Sequence, residues 1–313
     1  MRKTDLKQER HSSGLDIRAT GVLFLSVFFM SLIPLFLRYF TPYVDGWTAN
    51  GLRYPVAAFV YLPWLFYSYH KKRVKGNVWR KALLPSGFNI IGQCFWAWSP
   101  YYIEPGMIGF LLRFSIVWAV TGSFILFPDE RPLLKSRRFW LGIAAAAIGL
   151  YGMIFQGTDV PSGGTLTGII MILACSLFFA LYNLMVRRNL SDTDPRLAFS
   201  VVSIYTSAGV IAFFLAFGDV RLVSSIPGNV MALIILSAIA GIGVVHVLLY
   251  YSFQHVGVAI TTGFSLLSAF ITATLSYFIF GEKLTIGQWF SGVVLLSGSL
   301  LLLWSQEKIK IQK

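Results

Sequence analysis

Apolar residues in this chain come in long unbroken runs, cut at intervals by short clusters of charge or by Gly and Pro. Ten runs are legible, over 17–38, 47–69, 82–102, 106–127, 138–156, 165–186, 196–217, 229–251, 257–280 and 286–304. Each approaches the roughly 20 helical residues needed to cross a hydrocarbon core about 30 Å thick. An open sheet would leave backbone groups unpaired in lipid, and the period-two alternation of a barrel strand is missing. The pattern therefore predicts an all-α polytopic membrane protein with ten transmembrane helices. Residues 222–281 hold no Asp, Glu, Lys or Arg, and no water-soluble core of that length is built so.

Of the 313 residues, 56% are apolar and only 12% charged, against about 25% charged in soluble domains. The net charge is nonetheless +13, which in a soluble chain would point to nucleic acid. Placement decides the matter. With the N-terminus inside, 21 of the 26 Lys and Arg fall in inner segments and only Arg38, Arg221 and Lys283 in outer ones, with Arg53 and Arg113 inside spans. Positive charge gathers on the cytoplasmic side of membrane proteins. The excess thus reads as an orientation signal: a multi-pass protein of the cell membrane, both termini cytoplasmic, no nucleic-acid partner. Residues 1–16 then form a cytoplasmic tail, 157–164 an outer linker and 305–313 a basic cytoplasmic tail. Cys94 and Cys175 lie in apolar stretches and read as small core residues, and neither a metal nor a cofactor is indicated. The first run, without an A-x-A cleavage pattern and with further spans behind it, reads as a retained first helix.

The chain divides into two similar units, 17–156 and 165–304. Thr20-Gly21-Val22-Leu23 opens helix 1 and Thr167-Gly168-Ile169-Ile170 opens helix 6. Leu126-Phe127-Pro128-Asp129-Glu130-Arg131 parallels Ile279-Phe280-Gly281-Glu282-Lys283, and the next helices begin Phe139-Trp140-Leu141-Gly142 and Trp289-Phe290-Ser291-Gly292. Five helices per unit is an odd number, so the copies are expected to be inverted, with Glu130 inside and Glu282 outside. Inverted repeats around a midplane site are a recurrent plan of secondary transporters.

At these residues the chain resembles the drug/metabolite transporter superfamily, in particular its ten-helix EamA-type members. The doubled unit carries the resemblance, with Arg53 in Gly51-Leu52-Arg53-Tyr54 and the acidic residues Glu130 and Glu282 closing helices 4 and 9. What it implies is an inner-membrane carrier of amino acids, other metabolites or drugs, commonly an exporter, driven by an ion gradient or by exchange. Helices 1 and 6 lack the membrane carboxylate that smaller four-helix relatives carry in their first helix. An uptake carrier or exchanger for a carboxylate- or phosphate-bearing metabolite is the alternative, and an intramembrane enzyme or a channel or scaffold the rival from another class. No triad, metal constellation or nucleotide-binding loop is present in the sequence to favour an enzyme or ATP driving.

Several residues are candidates for transport. Arg113, about seven residues into helix 4 and so roughly 10 Å deep, is either a substrate or gating residue or an arginine that snorkels outward or pairs with Glu104. Arg53 either holds the fold together, with Asp45 as a partner, or joins Arg113 in a positive basin for an anionic or zwitterionic solute. Helix 3 offers Trp96, Trp98, Tyr101 and Tyr102, with Asn89 and Gln93 one or two turns earlier, either lining a cavity or packing the core. Tyr250 is the counterpart in helix 8. His246 suits proton coupling or a bond to a neighbouring helix. Pro34 and Pro55 are hinge candidates. Small residues in helices 5, 8 and 10 serve either internal packing or a homodimer. The partners expected are the lipid bilayer, a small-molecule substrate and a coupling ion such as the proton.

Overall fold

The computed structural model describes residues 17–71, 74, 77–157, 163–255 and 258–311. The expected tail 1–16 and most of the 157–164 linker lie outside the described residues. Among the described residues ten helical rods follow one another: α1 (Ile17–Phe40), α2 (Gly46–His70), α3 (Val78–Trp98), α4 (Pro105–Leu126), α5 (Arg137–Phe155), α6 (Gly163–Asn189) and α7 (Pro195–Phe217), then three more. α8 is built of Gly228–Ala238, a π-helical segment Ile239–Val244 and Val245–His255; α9 of Val258–Ser265 and Leu267–Phe280; α10 is Ile286–Ile311. No strand occurs among the described residues.

Local chemistry sets the ends. Asp45 caps α2 by accepting from the backbone N–H of Thr48, Asn77 caps α3 through Arg80, and Asp194 caps α7 through Arg196 and Leu197, each satisfying a first-turn donor that has no partner inside its helix. Pro105 and Pro195 open α4 and α7, where a missing N–H does no harm. Gly281 ends α9 with φ +71°, the left-handed conformation that Gly adopts most readily.

Eight rods are long and apolar enough to cross a bilayer by length and composition; α2 and α3, though long enough, are more polar than these. They are also the rods that bury Asn50, Arg53 and Asn89. A helix can carry such residues through lipid only by turning them toward protein. α2 does so by packing on α7 and α8, and α3 by packing on α6 and α7.

The packing has a two-fold pattern. Exchanging each helix for the one five places on maps the α3–α6 contact onto α8–α1, α4–α6 onto α9–α1, and α3–α7 onto α8–α2. One pair of mates, α5 and α10, packs antiparallel. Along α5 and α10, Gly142 meets Leu302, Gly149 meets Leu295 and Gly152 meets Ser291, one number rising as the other falls. The contacts recur between two five-helix units, and the antiparallel α5–α10 pair is the arrangement that inversion of one unit against the other would give.

The small residues of α5 and α10 have an internal use. A Cβ built on Gly149 would lie 2.3 Å from the Leu295 nitrogen, and one on Gly298 2.5 Å from the Ala146 nitrogen. Glycine there lets the two backbones touch, which is how membrane helices associate without a hydrophobic driving force.

Candidate functional site

Two side chains of the first unit reach across to hydroxyls of the second. Arg113 lies on a 3₁₀ turn, Leu112–Phe114, that interrupts α4. Its symmetry mate α9 is interrupted at Leu266, and the Arg113 guanidinium donates through Nη2 to the hydroxyl of Ser268, just past that break. Its Nε is buried and has no partner. Broken helices at membrane depth are a recurring way to expose backbone polarity to a transported solute.

Arg53 is 1% exposed. Its Nε donates to Ser237 Oγ at 3.0 Å, and its Nη2 has no partner although it sits 3.8 Å from where a Cβ on Gly241 would stand. Gly241 belongs to the π-helical segment of α8, a local underwinding that recurs at functional sites. Tyr61 on α2 donates to the Gly243 carbonyl of the same segment at 2.9 Å. Asn50, one turn before Arg53, donates to the Gln93 carbonyl of α3 at 2.7 Å. Asn89 donates to Tyr54 Oη at 3.1 Å and to Thr206 Oγ1 at 2.9 Å, tying α3 to α2 and α7.

These contacts correct two sequence expectations. Asp45 is not the partner of Arg53: it caps α2 and accepts from Thr48. Glu104 is not the partner of Arg113: it pairs with Arg38 at 2.6 Å, because Arg38 at the end of α1 also reaches the Pro100 carbonyl beside it. Nor do the arginines share a partner, since Arg53 turns to α8 and Arg113 to α9.

The remaining candidates divide. Trp96 is buried against Phe179 of α6. Trp98 packs on Trp47, Tyr101 and Gly46, with its indole N–H buried and unpartnered. Tyr101 donates to the Val44 carbonyl, and Tyr102 is exposed at the end of α3. His246 bonds through Nδ1 to the Ile242 carbonyl of its own helix at 2.7 Å and stacks on Phe199 of α7 at 4.1 Å. Tyr250 lies in α8, its side chain outside the described part. Pro34 and Pro55 fall inside α1 and α2, Pro34 buried against the bundle.

Two further clusters stand at opposite ends of α4. At its start, the Glu282 carboxylate accepts from the backbone N–H groups of Gly106 at 2.7 Å and Met107 at 3.1 Å. The second unit thus supplies a cap that the α4 N-cap residue, Glu104, does not make. At the other end, Glu130 accepts from Arg187 of α6 at 2.5 Å and from Gln306 of α10 at 2.6 Å. The repeat made the two glutamates visible in the sequence; their partners were not. Their ionisation differs. Burial works against the Glu130 charge, but hydrogen bonds from Arg187, Ser123 and Gln306 hold its carboxyl below the usual carboxylate range. Burial pushes the Glu282 carboxyl up, with the Glu104 charge adding to it and the two backbone N–H groups opposing.

Comparison with known proteins agrees with this architecture. The EamA-like transporter family matches twice, over residues 18–155 and 166–304. An uncharacterized transporter of Haemophilus influenzae (strain ATCC 51907 / DSM 11121 / KW20 / Rd) is 23% identical over 209 residues, 65% of this chain and 66% of that protein. Among solved structures, a crystal structure of a protein superposes with a TM-score of 0.59 at 15% identity, covering 91% of this chain and 96% of that one; at that identity the likeness shows the fold alone. With both units matched over nearly their whole length, the chain belongs to the EamA-like transporter family of the drug/metabolite transporter superfamily and is a multi-pass membrane transporter.

Proposed function

We propose that the chain is a secondary carrier of a small polar solute bearing a carboxylate, amino-acid-like in kind, which it moves by alternating access around a site between its two units. The observation that carries this reading is the pair of arginines. Each crosses the unit interface to a serine, Arg53 to Ser237 and Arg113 to Ser268. Each keeps an unpartnered N–H, and neither is ion-paired among the described residues. A serine hydroxyl cannot neutralise a guanidinium, and an uncompensated charge at membrane depth costs several kcal/mol. A solute carboxylate would supply the missing charge with geometry a guanidinium recognises well.

On this reading both termini are cytoplasmic, the membrane is the cell's inner one, and the direction is outward, as the family resemblance implies. Coupling is to an ion gradient or to exchange. Proteoliposome flux of carboxylate-bearing solutes, set against their amides, tests it. Wild-type protein is expected to move the acids, and Arg53→Gln and Arg113→Gln to lose that flux while remaining folded and inserted. Undiminished flux in both variants would overturn the reading.

A further inference from the structure

The arginine pair explains how a carboxylate is held, but it leaves another buried polar atom without a partner. Asn50 is 2% exposed. Its amide nitrogen donates to the Gln93 carbonyl at 2.7 Å, which fixes the orientation of the amide. The other atom, Oδ1, is therefore an acceptor, and it has no donor. Three residues on, Arg53 Nη2 is a donor with no acceptor. On a helix, residues three apart are neighbours, with Cβ atoms about 5–6 Å apart. One turn of α2 thus presents an empty donor beside an empty acceptor. The hydroxyls of Tyr54 and Thr206 accept from the Asn89 amide, and neither donates to Asn50 Oδ1.

We infer that Asn50 is a specificity-determining residue: its carbonyl oxygen accepts from an N–H or O–H adjacent to the carboxylate that Arg53 holds. A bare carboxylate satisfies Arg53 but leaves Asn50 Oδ1 empty and sets oxygen against oxygen. A 2-amino or 2-hydroxy acid satisfies both. Sites built to bond a substrate N–H or O–H reject analogues lacking it strongly, because the buried partner is then left unpaired. The inference rests on the carrier reading above and adds to it the residue that reads the neighbouring group.

The test is competition for flux in proteoliposomes by matched acids: alanine, lactate and propionate, and the same series for phenylalanine and aspartate. Wild-type protein should prefer the 2-amino or 2-hydroxy member over the unsubstituted acid by at least about tenfold, and Asn50→Leu should bring that ratio to within about twofold. A ratio in Asn50→Leu equal to the wild-type one overturns the assignment. Should Asn50→Leu fail to fold, N-methylation decides with wild-type protein alone. Dimethylglycine keeps one N–H and should still compete, whereas betaine has none and should fall at least about tenfold behind. Equal competition by these two overturns the inference while the carboxylate reading stands. If no acid of either set competes or is carried, the carboxylate reading itself fails, and the assignment of Asn50 with it.

Discussion

Replacing Glu130 with Gln should loosen the end of α4 by an amount the geometry bounds. The carboxylate accepts from Arg187 at 2.5 Å and from Gln306 at 2.6 Å. Each bond is charge-assisted, a class with net contributions of about 1.5–3 kcal/mol. A glutamine keeps one acceptor and turns an NH₂ toward the other donor, so one bond is lost. The Arg187 side chain is 40% exposed, and solvent screening pulls the figure toward the bottom of the range. The expected loss is about 2 kcal/mol, or roughly 3 °C in apparent melting temperature for a chain of 313 residues. Cys175 is buried and Cys94 half-buried, so a thiol-reactive fluorophore reports the melting of detergent-purified protein. The pH profile carries a second check. A carboxyl held below its unfolded pKa stabilises the fold fully above that value and loses the contribution as pH falls through the folded one. The gap between wild type and Glu130→Gln should therefore close at acid pH, below the ordinary glutamate value of about 4.3. A variant that melts within about 1 °C of wild type at neutral pH, or a gap that does not narrow on acidification, would refute the reasoning.

Glu282 should show the opposite slope. Its carboxyl is raised, so its contribution is fully present below the unfolded pKa and is lost as pH rises through the folded one; wild-type melting temperature relative to Glu282→Gln should climb as pH is lowered from neutral, and a flat difference would contradict it. Gly149→Val should abolish folded yield, judged by size-exclusion chromatography, because its Cβ would stand 2.3 Å from the Leu295 backbone in a contact that tolerates overpacking poorly. Gly21→Ala, with nothing within 4 Å, should instead be neutral or stabilising by about 0.5–1 kcal/mol. Orientation is checked in a background where Cys94 and Cys175 are Ser. An impermeant maleimide should label Lys283→Cys on intact cells and Lys135→Cys only after permeabilisation, and the reverse pattern would overturn the charge argument.

The placement of the helices was legible because lipid imposes one rule on a crossing: the backbone must pair with itself and the side chains must be apolar over a fixed length, a rule that eight of the rods meet outright. α1, expected over 17–38, runs Ile17–Phe40, and α7, expected over 196–217, runs Pro195–Phe217. The breaks in α4 and α9 and the π segment of α8 were not legible, since a shift in hydrogen-bond register has no fixed residue signature. Arg113 and Arg53 stood out as charges where none belongs. Ser268 and Ser237 did not, because a serine in a membrane helix usually bonds its own turn, as Ser237 also does through Ile234. The partners lie 155 and 184 residues away, and only the fold brings them together.

The two-fold scaffold carries an asymmetric chemistry, and this bears on how a carrier of this build would work. Both guanidinium groups come from the first unit and both hydroxyls from the second, so a solute bound to the arginines would lie against an interface that must shear for either end to open. The glutamates are equivalent by symmetry yet held differently, Glu130 by a cation and an amide and Glu282 by backbone N–H groups. Separating Glu130 from Arg187 exposes two charges that water can solvate. Withdrawing Glu282 also leaves two helix-end N–H groups without a partner, unless water reaches them. On the proposed alternating-access reading, the two ends would therefore present different barriers to opening, even though the chain that forms them is a repeat. Gly106→Ala separates the cases: a Cβ there would stand 2.7 Å from the Glu282 carboxylate, so it should favour opening at the start of α4 and leave the Glu130 end as it was. Cysteine accessibility raised equally at both ends would show that the two contacts do not act independently.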